Sequence, residues 1–274
     1  MSHSRKLSLL GSTGLAALLF LASPSFAQIS LGTAESFGVL AGSTVTNTGS
    51  SVVAGNLGVS PGTAVTGFPP GIVTPPGTIH SADAVAAQAQ NDLTTAYNAI
   101  VGMPAGVNLT GTDLGGLTLS PGVYGFTSSA QLTGPLTLNA QGNPNALFIF
   151  KIGSTLTTAS GSSVLMINGA SACNVFWQVG ASATLGTTTA FAGNILALAS
   201  ITMNTGANLF GRALARNAAV TLDGNNVSFC IFGGGGGGGG GGAVGGAIPA
   251  LSGRGLMAFM ALLALASIYF LKKA

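Results

Sequence analysis

Between residues 28 and 232 short aliphatic runs alternate with Gly, Asn and Ser turns, and the aliphatic residues often flank a single threonine. Examples are Leu117-Thr118-Leu119, Leu136-Thr137-Leu138 and Thr184-Leu185, with Thr155-Leu156-Thr157 in the same register. Side chains alternate faces along a strand, so the aliphatic flanks point inward and the threonine outward. Residues 193–206 lie over residues 211–224, with an offset of 18 residues at the start and 19 from the Ile201/Val220 pair onward. Residues 148–153 echo 175–180 across a wider gap, as an inserted turn would produce. Steps of 18 or 19 residues separate Thr118, Thr137 and Thr155, and again Thr184, Thr202 and Thr221. A repeat of that length, built of short strands and turns, fits one coil of a three-sided β-solenoid. Stacked coils then set the outward threonines in a ladder at roughly 4.8 Å intervals. An irregular β-sandwich is the competing fold, since it too gives closely spaced short strands.

One segment departs from this pattern. Residues 81–103 are rich in alanine, and Val85, Ala89, Leu93, Ala96, Tyr97 and Ile100 fall on one stripe at helical spacing. Ser81 is placed to cap the helix with Asp83 in its first turn, and Gly102 with Pro104 ends it. The stripe predicts a helix packed along the side of the solenoid, in a chain that is otherwise mainly β.

The two ends read as addresses. Residues 1–27 carry a short basic region, an apolar run and Ser25-Phe26-Ala27, the layout of a signal peptide cleaved after Ala27. The folded domain then covers 28–232. It is followed by a Gly-rich linker over 233–247 that begins with ten consecutive glycines, expected to act as a flexible tether. Residues 248–274 hold an apolar run, Leu256 to Leu271, closed by Lys272 and Lys273. With Ile248-Pro249-Ala250-Leu251-Ser252 ahead of it, this tail resembles the C-terminal sorting signals of exported bacterial proteins, which implies a membrane segment and a sorting protease of the exosortase type as partners. Ala250 stands where that motif has Thr, and a plain membrane anchor is the alternative.

Charge narrows the function. Only 5% of residues are charged. The formal +3 comes from the tails, because residues 28–253 hold three basic residues, Lys151, Arg212 and Arg216, against five acidic ones. A phosphate-binding stripe is absent, so nucleic acid is not an expected partner. The two cysteines, Cys173 and Cys230, suit one disulfide in an oxidising compartment, worth roughly 4 kcal/mol in the chain-entropy model. With His80 the one histidine of this region, neither a metal site nor another cofactor is expected. The acids form no recognisable pair, and Arg212, Arg216 and Asp223 read as a surface salt-bridge cluster, so an enzyme is not expected.

What remains is a rigid body with an uncharged surface and rows of Thr, Ser, Ala and Asn. Hydroxyls in such rows can anchor waters while the methyl groups order others around them. At this point the blocks 31–42, 55–62, 121–124, 176–180 and 211–215 leading into 220–223 resemble the bacterial and fungal ice-binding (antifreeze) proteins of the DUF3494 family. The resemblance implies a discontinuous, roughly triangular solenoid with a long helix beside it, and adsorption of one flat face to ice outside the cell by a monomeric domain. It also implies Thr-Ala/Gly-x-Thr/Asn motifs on that face, met by Thr205-Gly206-Ala207-Asn208 and less well by residues 48–51. The expected site is the ladder Thr184, Thr202 and Thr221 with Thr205 and Asn208. A second candidate face is the row Ile195, Ala197, Ala213 and Ala215. The competing function is a solenoid adhesin or matrix protein that binds polysaccharide or cells.

Overall fold

Every strand pairing in the described sheets is parallel, and the chain winds as a three-sided stack of coils whose turns sit at shared corners. The computed structural model describes residues 29–229 other than Ala105. The signal peptide, the linker, the sorting signal and Cys230 predicted above lie outside the described residues.

The coil register follows the repeat in the sequence. Gly193 pairs with Gly211 and Ile195 with Ala213, at an offset of 18, whereas Ile201 pairs with Val220 and Thr202 with Thr221, at 19. Phe148 pairs with Val175, so the wider gap is one longer coil. Thr118 pairs with Thr137 as the spacing predicts, but Thr137 pairs with Leu165, not with Thr155. The 18-residue step from Thr137 to Thr155 is a coincidence of the longer coils, and these two threonines stand on different faces.

The coils are not stacked in chain order. The first strand, Phe37–Ala41, pairs with Asn208–Ala215, and Thr44–Thr48 pairs with Val220–Asp223, so the N-terminal coils cap the C-terminal ones. The helix then carries the chain back along the outside to Val107–Asn108 at the opposite end. This is the discontinuity that the family resemblance implied.

Within the triangle lies a core that runs the length of the stack. Tyr124, Phe150, Trp177 and Phe191 form an aromatic column, with Phe150 and Trp177 stacked at 3.8 Å between centroids. Trp177 is fully buried and donates its ring N–H to the Ala192 carbonyl at 3.0 Å, which removes the polar penalty of placing an indole there. Strands Ala190–Ala197 and Asn208–Ala215 bend across a corner at Gly193 and Gly211. Gly211 has φ +154°, and a Cβ there would lie 1.9 Å from the Gly193 carbonyl oxygen, so only glycine fits.

The helix spans Ala84–Val101. Its N-cap is Asp83, which accepts the Ala86 N–H at 2.8 Å, in place of the predicted Ser81. The buried stripe is Ala86, Ala89, Leu93, Ala96, Tyr97 and Ile100; Val85, expected on it, points to solvent. Ala89, Leu93, Ala96, Tyr97 and Ile100 form a second core with Leu40, Ile149, Phe176, Leu196 and Leu214 on one side of the solenoid. Full burial of side chains such as Leu93 and Ile100 contributes about 1.5–3 kcal/mol each. Tyr97 adds a polar anchor, donating to the Val179 carbonyl at 3.3 Å and accepting from Gln178 Nε2 at 2.8 Å.

Candidate functional site

Of the three sides, the first is covered by the helix. The second is the sheet that includes Ser163–Ile167, Asn208–Phe210 and Asn226–Ser228, and its surface is broken by exposed Leu165, Ile167 and Phe210. The third is a separate seven-stranded sheet in the order 130–132, 156–158, 183–185, 201–203, 220–223, 44–48, 64–66.

Across that third sheet the central outward positions are in unbroken register. Thr157 pairs with Thr184, Thr184 with Thr202, Thr202 with Thr221, Thr221 with Thr46, and Thr46 with Thr66. Gln131 continues the row beyond Thr157. The predicted trio Thr184, Thr202 and Thr221 is thus the middle of a six-threonine ladder. Their inward neighbours, such as Ile201, Met203, Val220 and Leu222, are fully buried, which fixes the outward direction.

A second row runs beside the first, two residues back along each strand. Thr155 donates to Ser129 at 2.9 Å and Ser200 donates to Ser182 at 2.9 Å, followed by Ala219, and then Thr44 opposite Ala64. These hydroxyl pairs hold their rotamers through one another, and Thr46 donates to Thr221 in the first row at 3.3 Å. No side chain in the second row is larger than threonine, and in the first row only Gln131, on the edge strand, is larger.

Thr205 is one position beyond, at the corner where the chain leaves this sheet, and its hydroxyl donates to the Asp223 carboxylate. The corner is turned by left-handed residues stacked on one another, Gly206 at φ +69°, Gly224 at +60° and Gly49 at +76°. Gly206 of the Thr-Gly-Ala-Asn motif therefore serves the turn. Asn208 has already passed onto the neighbouring sheet, where its Oδ1 accepts the Asn226 N–H at 3.0 Å. Ile195, Ala197, Ala213 and Ala215 require a correction: all four are fully buried in the central core and present no surface. Because the helix covers their strand from outside, apolar residues occupy both of its sides, and the alternation that would mark the outer ones is lost.

The charges lie elsewhere. Arg212 is buried, donating to the Glu35 carbonyl at 2.9 Å and to Asn194 Oδ1 at 2.8 Å, and burial pushes its pKa down to about 10. Arg216 lies over the Tyr97 ring at 4.6 Å. The expected cluster of these two with Asp223 does not form, since both arginines are on the helix side of the solenoid while Asp223 is at the corner of the threonine sheet. Asp92, on the helix, accepts the Thr33 hydroxyl and N–H, which hold its carboxyl below the usual range. Lys151 donates to the Val101 carbonyl at the end of the helix. Among the described residues two charges border the threonine sheet: Asp223 at its corner, and Asp113, whose Oδ1 accepts the Thr133 N–H at 2.9 Å just past the edge strand 130–132. Thr78, His80 and Asp83 form a hydrogen-bonded chain at 2.9 and 2.7 Å, in which Asp83 also caps the helix. No group of three or more His, Cys, Asp or Glu that could hold a metal occurs among the described residues.

Sequence reasoning missed Thr44, Thr46 and Thr66. The signal for Thr44 and Thr46 is the Thr-x-Thr alternation in 44–48, which does not say which distant strand they join.

The family model described as ice-binding-like matches residues 39–228. The chain belongs to the ice-binding-like family. Family members similar to it include the ice-binding protein of Nostoc sp. (strain HG1), 65% identical over 199 residues that cover 72% of this chain and 73% of that protein. The ice-binding protein of Flavobacterium frigoris (strain PS1) is 34% identical, with 73% of this chain and 76% of that protein covered. Among solved structures, an ice-binding protein from an Antarctic biological consortium matches with a TM-score of 0.73 at 51% identity, covering 76% of this chain and 93% of that one. One from the Antarctic ascomycete Antarctomyces psychrotrophicus matches with a TM-score of 0.71 at 43% identity, covering 74% and 98%.

Proposed function

We propose that the chain adsorbs to ice through the threonine sheet and thereby restrains ice growth or recrystallisation outside the cell. The observation that carries this is the six-threonine register, whose two rows hold no side chain larger than threonine apart from Gln131 at the edge. Its rows repeat at about 4.8 Å across the strands and roughly 6.7 Å along them, close to oxygen repeats of ice. Each hydroxyl can hold one water of that lattice while its methyl group sits against the next. The parallel ladder and the buried core below keep the array rigid, so little conformational entropy is lost on binding. Charged side chains would orient water against the lattice, and the sheet bears none within its two rows.

The adhesin reading has less support. Binding of a sugar usually uses exposed aromatic surface beside convergent polar groups, whereas Tyr124, Phe150, Trp177 and Phe191 are stacked inside the core. The finer reading extends to the tails: residues 1–27 export the chain, and 248–274 hold it at the envelope through a sorting protease or the membrane. Cys173 is buried and not a free thiol, and we assign Cys230 as its disulfide partner. The domain acts as a monomer without a cofactor, and catalysis has no part in the reading.

The test is thermal hysteresis and ice-crystal shaping by the purified protein. Faceted crystals and a gap between melting and freezing are expected. Round crystals and unimpeded recrystallisation in the presence of folded protein would put the adhesin reading in front.

A further inference from the structure

One coil closes an end of the stack. Its strands Ala64–Thr66, Ile72–Thr74 and Ile79–Ser81 are each the last of their ladder, paired on one edge and open on the other. The hydrogen-bonded chain of Thr78, His80 and Asp83 leaves this coil, and it has a direction. Hydrogen bonds from the Ala86 N–H and from His80 hold the Asp83 carboxyl below the usual carboxylate range. An ionised carboxylate only accepts, so the imidazole donates to it from Nδ1, at 2.7 Å. In the neutral ring Nε2 then carries the lone pair, and it faces the Thr78 hydroxyl at 2.9 Å, closer than that hydroxyl's other acceptor, Asn56 Oδ1, at 3.4 Å. The imidazole packs beside the Phe37 ring, 5.5 Å between centroids, and is mostly buried, whereas Thr78 is exposed. Thr78 lines a shallow apolar groove with Phe68, Ile72, Val73 and Ile79. Its carbonyl accepts the Leu57 N–H at 3.0 Å, so by the alternation of a parallel ladder the next N–H, that of Ile79, points to the open edge.

From this geometry we infer that Thr78, His80 and Asp83 act as nucleophile, general base and orienting carboxylate, and that the groove beside Thr78 takes small activated carboxylic esters with an apolar acyl group. A hydroxyl within reach of an imidazole that a third group holds in place is the arrangement that activates a hydroxyl for attack. This is a second activity, separate from the ice reading and from the threonine sheet that carries it. Thr78 Oγ bonds to the ester carbonyl carbon as its proton passes to His80 Nε2. The oxyanion that forms meets the Ile79 N–H, the donor of the residue after the nucleophile. The bond from carbon to the alcohol oxygen then breaks, and the alcohol leaves with the proton from Nε2. Water attacks the acyl-threonine and gives a proton to Nε2; the carboxylic acid departs and that proton returns to Thr78. The sum is ester plus water to acid plus alcohol. A single backbone donor gives the oxyanion little support, which is why the substrate is an ester with a good leaving group.

The experiment follows release of 4-nitrophenol from 4-nitrophenyl acetate by the purified protein and by Thr78→Val, Thr78→Ser and His80→Gln, with the melting temperature and ice shaping of each measured alongside. Wild type should hydrolyse the ester faster than buffer, and Thr78→Val and His80→Gln should each lose at least about tenfold, since a general base contributes about 100-fold or more. Thr78→Ser, which keeps the hydroxyl, should retain the activity, and all three variants should still shape ice. Hydrolysis by folded Thr78→Val within about twofold of wild type would overturn the inference, because an imidazole acting alone does not need the hydroxyl. Folded wild type no faster than buffer would overturn it as well. Should Thr78→Val not fold, Thr78→Ser and His80→Gln decide: a dead serine variant beside an active glutamine variant rejects the assignment. Wild type that hydrolyses the ester but does not shape ice would sink the ice reading and leave this inference standing.

Discussion

Thr202 is on the fourth of the seven strands of the threonine sheet, with Thr184 and Thr221 directly beside it. Replacing it with tyrosine leaves the buried flanks Ile201 and Met203 in place and adds a ring that stands up from the centre of the face. With strands about 4.8 Å apart the sheet spans roughly 29 Å, and its two rows with their side-chain width give a depth of roughly 10 Å. That is about 300 Å² of surface, and at about 25 cal/mol per Å² complete desolvation against ice would contribute at most about 7 kcal/mol. A gap of even 0.5–1 Å forfeits about a quarter to a half of a van der Waals contact. The ring therefore removes its own strand and the two beside it, three of seven. The loss is about 3 kcal/mol, roughly a hundredfold in the adsorption constant. Thermal hysteresis and partition into ice should both collapse. Thermal unfolding should shift little, because an outward substitution without a buried partner changes stability by about 0.5 kcal/mol or less. Activity of Thr202→Tyr within twofold of wild type, with the fold intact, would refute the assignment of this face.

Three further outcomes follow from the packing and the electrostatics. Ala213→Leu overfills the central core and should lower stability by about 1–3 kcal/mol, read as a reduced melting temperature by circular dichroism; an unchanged melt with lost ice activity would mean that Ala213 is on the surface after all. The Asp92 carboxyl is held below its usual 3.8 by hydrogen bonds from Thr33, so its stabilising effect is full above that value and is lost as pH falls through the lower folded value. The melting temperature should accordingly drop on acidification from about pH 5 to about pH 3, and Asp92→Asn should be less stable at neutral pH and less sensitive to acid. Cys173→Ser should cost about 4 kcal/mol if its partner is Cys230, since that bridge closes a long loop in the unfolded chain; equal melting of the variant and of oxidised and reduced wild type would argue against the pairing.

Much of the architecture was legible because a solenoid writes its register into the sequence. The change of offset from 18 to 19 between the Gly193/Gly211 and Ile201/Val220 pairs is the register of the two neighbouring ladders. Local spacing fails where contacts are not local. Thr46 and Thr221 are 175 residues apart and meet only because the N-terminal coils stack on the last C-terminal one. Nothing in 44–48 announces that neighbour. The row of Ile195, Ala197, Ala213 and Ala215 was misplaced for another reason: small apolar residues suit a flat outer face and a tight core equally well. The helix that covers the outer side of those strands removes the polar alternation that would have separated the two. The Thr-Gly-Ala-Asn motif mixes two roles, since Thr205 borders the threonine sheet while Gly206 makes the turn and Asn208 starts the next side. The N-cap moved from Ser81 to Asp83 because Ser81 is still in a strand, Ile79–Ser81, with its hydroxyl donated to the Thr63 carbonyl at 2.7 Å.

The central claim is that one particular side of the solenoid meets ice, and a matched pair of tyrosine substitutions tests it most directly. Thr46→Tyr alters the threonine sheet at a residue that only the folded structure brings into the ladder, and Asn226→Tyr alters the exposed second side. Partition of each purified variant into a slowly grown ice hemisphere should show Thr46→Tyr left in the liquid and Asn226→Tyr incorporated like the wild type. The reverse result, incorporation of Thr46→Tyr and exclusion of Asn226→Tyr, would contradict the account and move the ice-binding surface to the other side.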